Sequence, residues 1–199
     1  MKCFYGDISG ENISPLLLEY YQYFDKALLL YNTIEGIIGR SNRIRALRNI
    51  NSMLKEGGKL ILSIHNRFWV NWIRPVMYLN IKRALLKLQL QKELTIIDKC
   101  IATSEFNSII IKRPHTVYPW YIYSLFELER DLKKAGFSIE RVFLTEDDNP
   151  FKPRIYEVFD EVNYETNWIN RARIVLRILN TPKYYVIARK IEVGNSYKY

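Results

Sequence analysis

Cysteine and histidine are scarce in this sequence of 199 residues, which contains only Cys3, Cys100, His65 and His115. The two cysteines have no paired spacing, so neither a disulfide framework nor a zinc site is expected. Without a Cys/His cluster no metal site of any kind is expected. No apolar run reaches the roughly 18 residues that a membrane-spanning helix needs. The first residues, from Met1 to Asp7, lack the apolar core of a signal peptide. These absences point to a cytoplasmic protein that is not integral to a membrane. Internal repeats and low-complexity tracts are also lacking. Glycine is sparse at 8 residues, and Gly57-Gly58 is the one adjacent pair.

Basic residues are abundant. Thirty Lys and Arg against 21 Asp and Glu give a formal charge of +9 and a pI near 9.4. That balance favours anionic partners such as RNA, DNA or an acidic membrane surface. Richness in Lys, Ile, Tyr and Asn gives genome composition an equal claim to the charge. With 48% hydrophobic and 26% charged residues, the chain has the composition of one soluble globular domain spanning 1–199.

The organising stretch is Phe24-Asp25-Lys26-Ala27-Leu28-Leu29-Leu30-Tyr31-Asn32, a helix, and then Leu54-Lys55-Glu56-Gly57-Gly58-Lys59-Leu60-Ile61-Leu62-Ser63-Ile64-His65-Asn66. Two apolar runs around one amphipathic helix read as a βαβ unit of a parallel sheet. Neither run alternates polar with apolar, so helices should cover both faces. The connecting helix is predicted to start at Ser41 as N-cap, to bury Ile44, Leu47, Ile50, Met53 and Leu54, and to end at Gly57. Arg40, Arg43, Arg45 and Arg48 cluster on it and read as a solvated outer face, phosphate contact being the alternative.

These residues resemble the middle of the class I S-adenosylmethionine-dependent methyltransferases. That family has a Phe-Asp-hydrophobic strand ending beside the cofactor, followed by a Leu-Lys-x-Gly-Gly turn into the next strand. His115-Thr116-Val117-Tyr118, Leu125-Phe126-Glu127-Leu128 and Leu132-Lys133-Lys134-Ala135-Gly136-Phe137 are similar to its late helix and following strand. The resemblance implies an α/β fold: a three-layer Rossmann-like methyltransferase sheet, mostly parallel, with an antiparallel last strand at Tyr184–Arg189. It also implies S-adenosylmethionine as cofactor and methyl transfer as activity.

One part of the family pattern is missing. A Gly-rich loop lets the backbone approach the methionine part of the cofactor, where a Cβ would block it, and no Gly-x-Gly occurs in this sequence. By resemblance the chain is N-terminally truncated relative to the family by about its first third. It is therefore expected to need a partner chain or a further segment, or a second copy along the edge of the 24–31 strand.

Residues 67–118 read as a cap insertion, with a helix over 76–94 and a hairpin over 96–117. Its aromatics and lysines suit stacking on a nucleotide, an anionic membrane, or a helix packing its Leu stripe on the sheet. Further expectations are a strand at Met1–Tyr5, a helix over 11–23, a helix over 120–135 closed by Gly136, and a strand at 138–145. A smaller insertion at 151–182 with a helix near 167–179, and a frayed tail from Gly194, complete the reading.

The resemblance assigns Asp7, Tyr31 and Asn32 to the cofactor, Asp7 as the acceptor for the adenine amino group unless it only starts a turn. His65 and Asn66, ending the following strand, are candidates for the substrate rim. His115 is the candidate catalytic residue, able to orient or deprotonate a nucleophile, with a structural role in the cap as the alternative. Three functions compete: a methyltransferase acting on RNA or a small molecule, a catalytically inactive methyltransferase-like binding subunit, and a basic RNA- or membrane-binding protein.

Overall fold

The computed structural model describes residues 7–10, 19–88, 94–145, 155–157 and 181–191. The chain runs β1 (Phe24–Leu29), a 3-10 turn (Thr33–Gly36), α1 (Arg40–Met53), β2 (Leu54–His65), α2 (Val70–Leu88), α3 (Ile96–Thr103), β3 (Ser108–Arg113), β4 (Thr116–Tyr121), α4 (Leu125–Lys134), β5 (Phe137–Thr145), β6 (Ile155–Glu157) and β7 (Lys183–Lys190). Five strands form one sheet in the order β1-β2-β7-β5-β6, and β3 and β4 form a separate hairpin. β1 and β2 are parallel. β7 is antiparallel to both of its neighbours, β2 and β5, so β1, β2 and β5 share one direction and the last strand is inserted against it, as expected.

One face of the sheet carries the core. Leu60, Leu62 and Ile64 of β2 stand opposite Ala188, Val186 and Tyr184 of β7, and directly opposed residues share a face. All six are buried together with Ala46, Leu47 and Ile50 of α1 and Leu128 and Leu132 of α4. Both helices therefore cover the same face. Coverage of both faces is met on this side; the other face bears Leu28, Ile61 and Ile187 in one cross-strand row, with Leu28 62% exposed. No helix packs there among the described residues.

Several boundaries differ from the sequence reading. α1 begins after Gly39, with Ser41 inside its first turn and no side-chain cap. The helix stops at Met53, and Gly57 lies within β2 rather than behind the helix. There the pairing jumps from Phe24–Leu54 to Lys26–Lys59, so residues 55–58 bulge out of the ladder. Gly57 takes φ +68°, and a Cβ on Gly58 would lie 2.7 Å from the Lys55 carbonyl oxygen. Both glycines are thus needed for the bulge itself. The predicted hairpin over 96–117 is in fact helix α3, capped by Thr95, whose hydroxyl accepts the Asp98 N–H, followed by β3 and β4. The predicted helix over 120–135 is shorter: β4 runs to Tyr121, and α4 starts behind Ser124, which forms a capping box with Glu127.

The arginine cluster is also not a uniformly solvated face. Arg43 is 2% exposed. Its Nη2 lies 2.5 Å from Glu105 Oε2, its Nε donates to the Tyr123 hydroxyl at 3.0 Å, and its guanidinium stacks 4.0 Å from the Tyr121 ring centre. Arg40 pairs with the buried Asp131 at 2.6 Å. These contacts join α1 to the cap and to α4. Within the cap, Arg83 is fully buried and donates to Ile101 O, Ser104 Oγ, Asn80 Oδ1 and Ser108 O. Carbonyl, amide and hydroxyl oxygens solvate it together with the Phe106 ring 5.7 Å away, and burial pulls its pKa down. It locks α2, α3 and β3 into one unit. The expected elements at Met1–Tyr5, 167–179 and 194–199 lie outside the described residues, as do residues 11–18 of the helix expected over 11–23; its described end, 19–22, is turn rather than helix.

Candidate functional site

The carboxyl ends of β1 and β2 are joined by side chains. After Leu30 the chain turns through Tyr31 (φ 54°) and Asn32 (φ 57°), a left-handed pair that non-glycine residues seldom adopt. Asn32 swings inward to 5% exposure while Tyr31 stays 87% exposed. The Asn32 backbone N–H donates to Ser63 Oγ of β2 at 3.1 Å. The 3-10 turn that follows carries Glu35, which is 1% exposed.

His65, the last residue of β2, is held on every side. Glu35 Oε1 accepts the His65 backbone N–H at 3.0 Å and lies 3.5 Å from the Tyr123 N–H. Glu35 Oε2 lies 2.6 Å from His65 Nδ1, and the Asn32 side-chain amide nitrogen lies 3.1 Å from His65 Nε2. With the carboxylate as acceptor, Nδ1 carries the proton and Nε2 keeps a lone pair facing the Asn32 amide; this tautomer follows from the partners. Trp72 of α2 and Trp120 of β4 set their rings edge-on to the imidazole at 5.6 and 5.5 Å. Burial pushes the Glu35 carboxyl above its ordinary value, and the hydrogen bond from His65 opposes that shift.

Among the described residues, three buried polar atoms at this place have no partner: Asn32 Oδ1, Trp72 Nε1 and Trp120 Nε1. Unsatisfied buried groups cost about 1–3 kcal/mol each, and here an acceptor and two donors are left open around one oriented imidazole. Chemically, an imidazole fixed by a buried carboxylate offers Nε2 as a base once the Asn32 amide moves aside. The His65 side chain retains 14% exposure.

The other sequence candidates fall elsewhere. Asn66 is fully buried, but its side-chain amide donates to Thr181 O at 2.8 Å and its Oδ1 accepts the Phe68 N–H at 2.9 Å. It ties the end of β2 to the entry of β7 and holds the turn that precedes α2. His115 sits exposed in the two-residue turn between β3 and β4, at the far end of β4 from Trp120. Asp7 accepts Ser9 N–H at 2.8 Å and Ser9 Oγ at 2.7 Å, the hydrogen bonds that hold its carboxyl below the ordinary range. This turn docks on α1, where Asn49 donates to Ile8 O. The structure thus unites Asn32 with His65 and leaves Asp7 and His115 apart from them. Glu35, Trp72 and Trp120 were not singled out from sequence.

The rim fits S-adenosylmethionine in part. Asn32 offers an unpaired acceptor for a polar edge of the cofactor, while the close backbone approach made by a Gly-x-Gly loop is absent from these 199 residues. Solved structures share this fold. A SAM-dependent methyltransferase from Methanosarcina mazei superposes with a TM-score of 0.55 at 14% identity, covering 94% of this chain and 65% of that one. The chain has the class I methyltransferase fold. A second such enzyme, a possible histamine N-methyltransferase from Thermotoga maritima, superposes with a TM-score of 0.51 at 17% identity, covering 93% of this chain and 62% of that one. By sequence, an uncharacterized protein of Methanocaldococcus jannaschii is 30% identical over 138 residues, covering 68% of this chain and 49% of that protein. The chain therefore spans about half of this relative's length and less than two thirds of the two methyltransferases. No family model matches the sequence. Among the described residues no helix is long and apolar enough to cross a membrane.

Proposed function

We propose that the chain forms the acceptor-side part of an S-adenosylmethionine-dependent methyltransferase, with His65 as the residue that orients or deprotonates the methyl acceptor. The observation that carries this reading is the His65 ring fixed between Glu35 and Asn32 at the carboxyl rim of β1 and β2, where open α/β sheets bind ligands. S-adenosylmethionine would supply a methyl group on a sulfonium whose departure as a neutral sulfide needs no acid. The protein's work is then alignment, plus removal of a proton from an N–H or O–H acceptor. His65 Nε2 suits that proton, and Trp72 and Trp120 wall the ring against bulk water. Asn32, Tyr31 and Asp7 are assigned to the cofactor side. The acceptor is a small molecule or RNA, the latter favoured by the charge of +9.

Completion by a second copy or another polypeptide along β1 is part of this proposal, because β1 is paired on one side only among the described residues. A catalytically inactive binding subunit is the competing reading, and the missing Gly-x-Gly favours it.

Titration calorimetry with S-adenosylhomocysteine, on the chain alone and with the product of its neighbouring gene, separates the two. Binding in either setting, weakened about tenfold or more in Asn32→Ala, supports the methyltransferase. No binding in either setting overturns it. Asp7→Ala divides the two roles of that residue: lost ligand affinity at unchanged melting temperature supports adenine contact, and the reverse supports a turn former.

A further inference from the structure

Helix α2 presents an apolar stripe to solvent. Met77 is 58% exposed, Tyr78 64%, Ile81 60%, Leu85 54% and Leu88 78%, and their spacing at three and four residues places them on one side of the helix. The opposite side is used inside the cap, where Val76 packs with Ile109 and Ile122 and partly buried Trp72 and Leu79 join them. The stripe is therefore surplus to the cap's own packing. Ile96, at the start of α3, is also 78% exposed. Lys82 of α2 binds Asp98 of α3 at 2.8 Å, bringing the two helices together.

The charges on α2 have one sign. Residues 70–88 contain Arg74, Lys82, Arg83 and Lys87 and no Asp or Glu. Of these, Arg83 is buried and Lys82 pairs with Asp98; Arg74 is exposed beside the stripe, and Lys87 is exposed at the helix end with its Nζ 5.6 Å from the Phe106 ring centre. A second copy packing on this face would bring basic flanks onto basic flanks, in a chain whose net charge is already +9. A nucleic acid would meet mainly Met, Ile and Leu, with Tyr78 as the one aromatic ring of the stripe, which is a poor platform for stacking bases. An anionic lipid surface matches both halves of the pattern. Aliphatic side chains enter the boundary between headgroups and acyl chains, and lysine and arginine reach headgroup phosphates from its rim.

We propose that the cap docks through α2 on an anionic membrane surface, lying on it rather than spanning it. This inference concerns the cap's outer face and does not depend on methyl transfer. Docking would hold the Trp72 and Trp120 rim, built on the same cap, close to the lipid.

The test is flotation of the full chain with vesicles of phosphatidylcholine containing phosphatidylglycerol, compared with phosphatidylcholine alone. Binding is expected to the anionic vesicles, to fall as salt rises, and to drop about tenfold or more in Ile81→Asp and Leu85→Asp. Both positions are exposed, so the melting temperature of the variants should stay near that of the parent chain. Absence of flotation with anionic vesicles at low salt overturns the proposal. So does flotation unchanged in both variants, which would move the contact elsewhere. A concentration-dependent dimer or an RNA complex that either variant abolishes, in a chain that ignores vesicles, would give the face to that partner instead.

Discussion

Glu35 Oε2 lies 2.6 Å from His65 Nδ1 across 30 residues of sequence, so the turn after β1 and the end of β2 are locked by a carboxyl–imidazole contact. A buried carboxyl is tolerated when donors surround it, and here two backbone N–H groups and the ring approach it. The same contact fixes which ring nitrogen faces Asn32. It therefore connects the left-handed turn at Tyr31 and Asn32 with the chemistry proposed for the rim.

Titration of Glu35 should leave a signature in stability. Its folded pKa is raised above the ordinary 4.5, burial being the largest cause. In the window above 4.5 the unfolded chain loses this proton while the folded chain keeps it, so the contribution is complete below 4.5 and is lost as pH rises through the folded value. Glu35→Gln cannot titrate and should lack this decline. Urea midpoints of both proteins across about pH 4 to 8 check it; parallel profiles would show that Glu35 ionises as it does in the unfolded chain.

Arg43→Ala should cost about 3 kcal/mol of unfolding free energy, because it takes the ion-pair partner from Glu105, which keeps the Arg40 N–H, and removes a donor from Tyr123. Arg43→Lys should recover less than half, since an ammonium cannot reach Glu105, Tyr123 and Ile37 O together as the planar fork does. Denaturant unfolding measures both. A neutral Arg43→Ala would mean that the network adds nothing beyond packing.

The bulge of β2 gives a third expectation. Gly57→Val demands φ +68° of a β-branched residue, and Gly58→Val drives a Cβ toward the Lys55 carbonyl oxygen. Each should destabilise the fold by about 2 kcal/mol or more, seen as a lower melting temperature. Loss of S-adenosylhomocysteine affinity at an unchanged melting temperature would instead give these glycines a ligand role.

Much of the frame was legible in the sequence because its signals are local. The 24–32 and 54–66 runs, the left-handed Gly136 behind α4 and the last strand are marked by apolar continuity and glycine. Ile96, Ile97 and Ile101 misled because β-branched residues in so short a segment resemble a strand. The Thr95-to-Asp98 cap and the Ser124-to-Glu127 capping box were present in the sequence and could have set both helix starts. Glu35 and Arg43 were not legible. A lone glutamate beside glycine reads as a solvated turn, and the partners of Arg43 are 62 and 80 residues away. Charges buried by distant partners become visible only when the fold brings those partners together.

The edge of β1 carries the last expectation. β1 pairs with β2 alone among the described residues, and in a strand paired on one side alternate backbone groups point away from the ladder. Side chains there are apolar and open: Phe24 is 38% exposed, Leu28 62% and Leu30 37%. Beside them lies a cleft of about 320 Å3 lined by Ile8, Phe24, Leu28, Ile50 and Met53. An apolar edge with an adjoining cleft is a hazard that folded proteins cover, and it suits an added strand whose side chains fill the cleft. We expect β1 to be covered by a second copy or a partner strand. Sedimentation should then show a species larger than the monomer, alone or with the neighbouring gene's product, and the amides of Ala27 to Leu30 should exchange slowly in it. A stable monomer at high concentration in both settings, with those amides exchanging as fast as a loop, would show that nothing covers this edge.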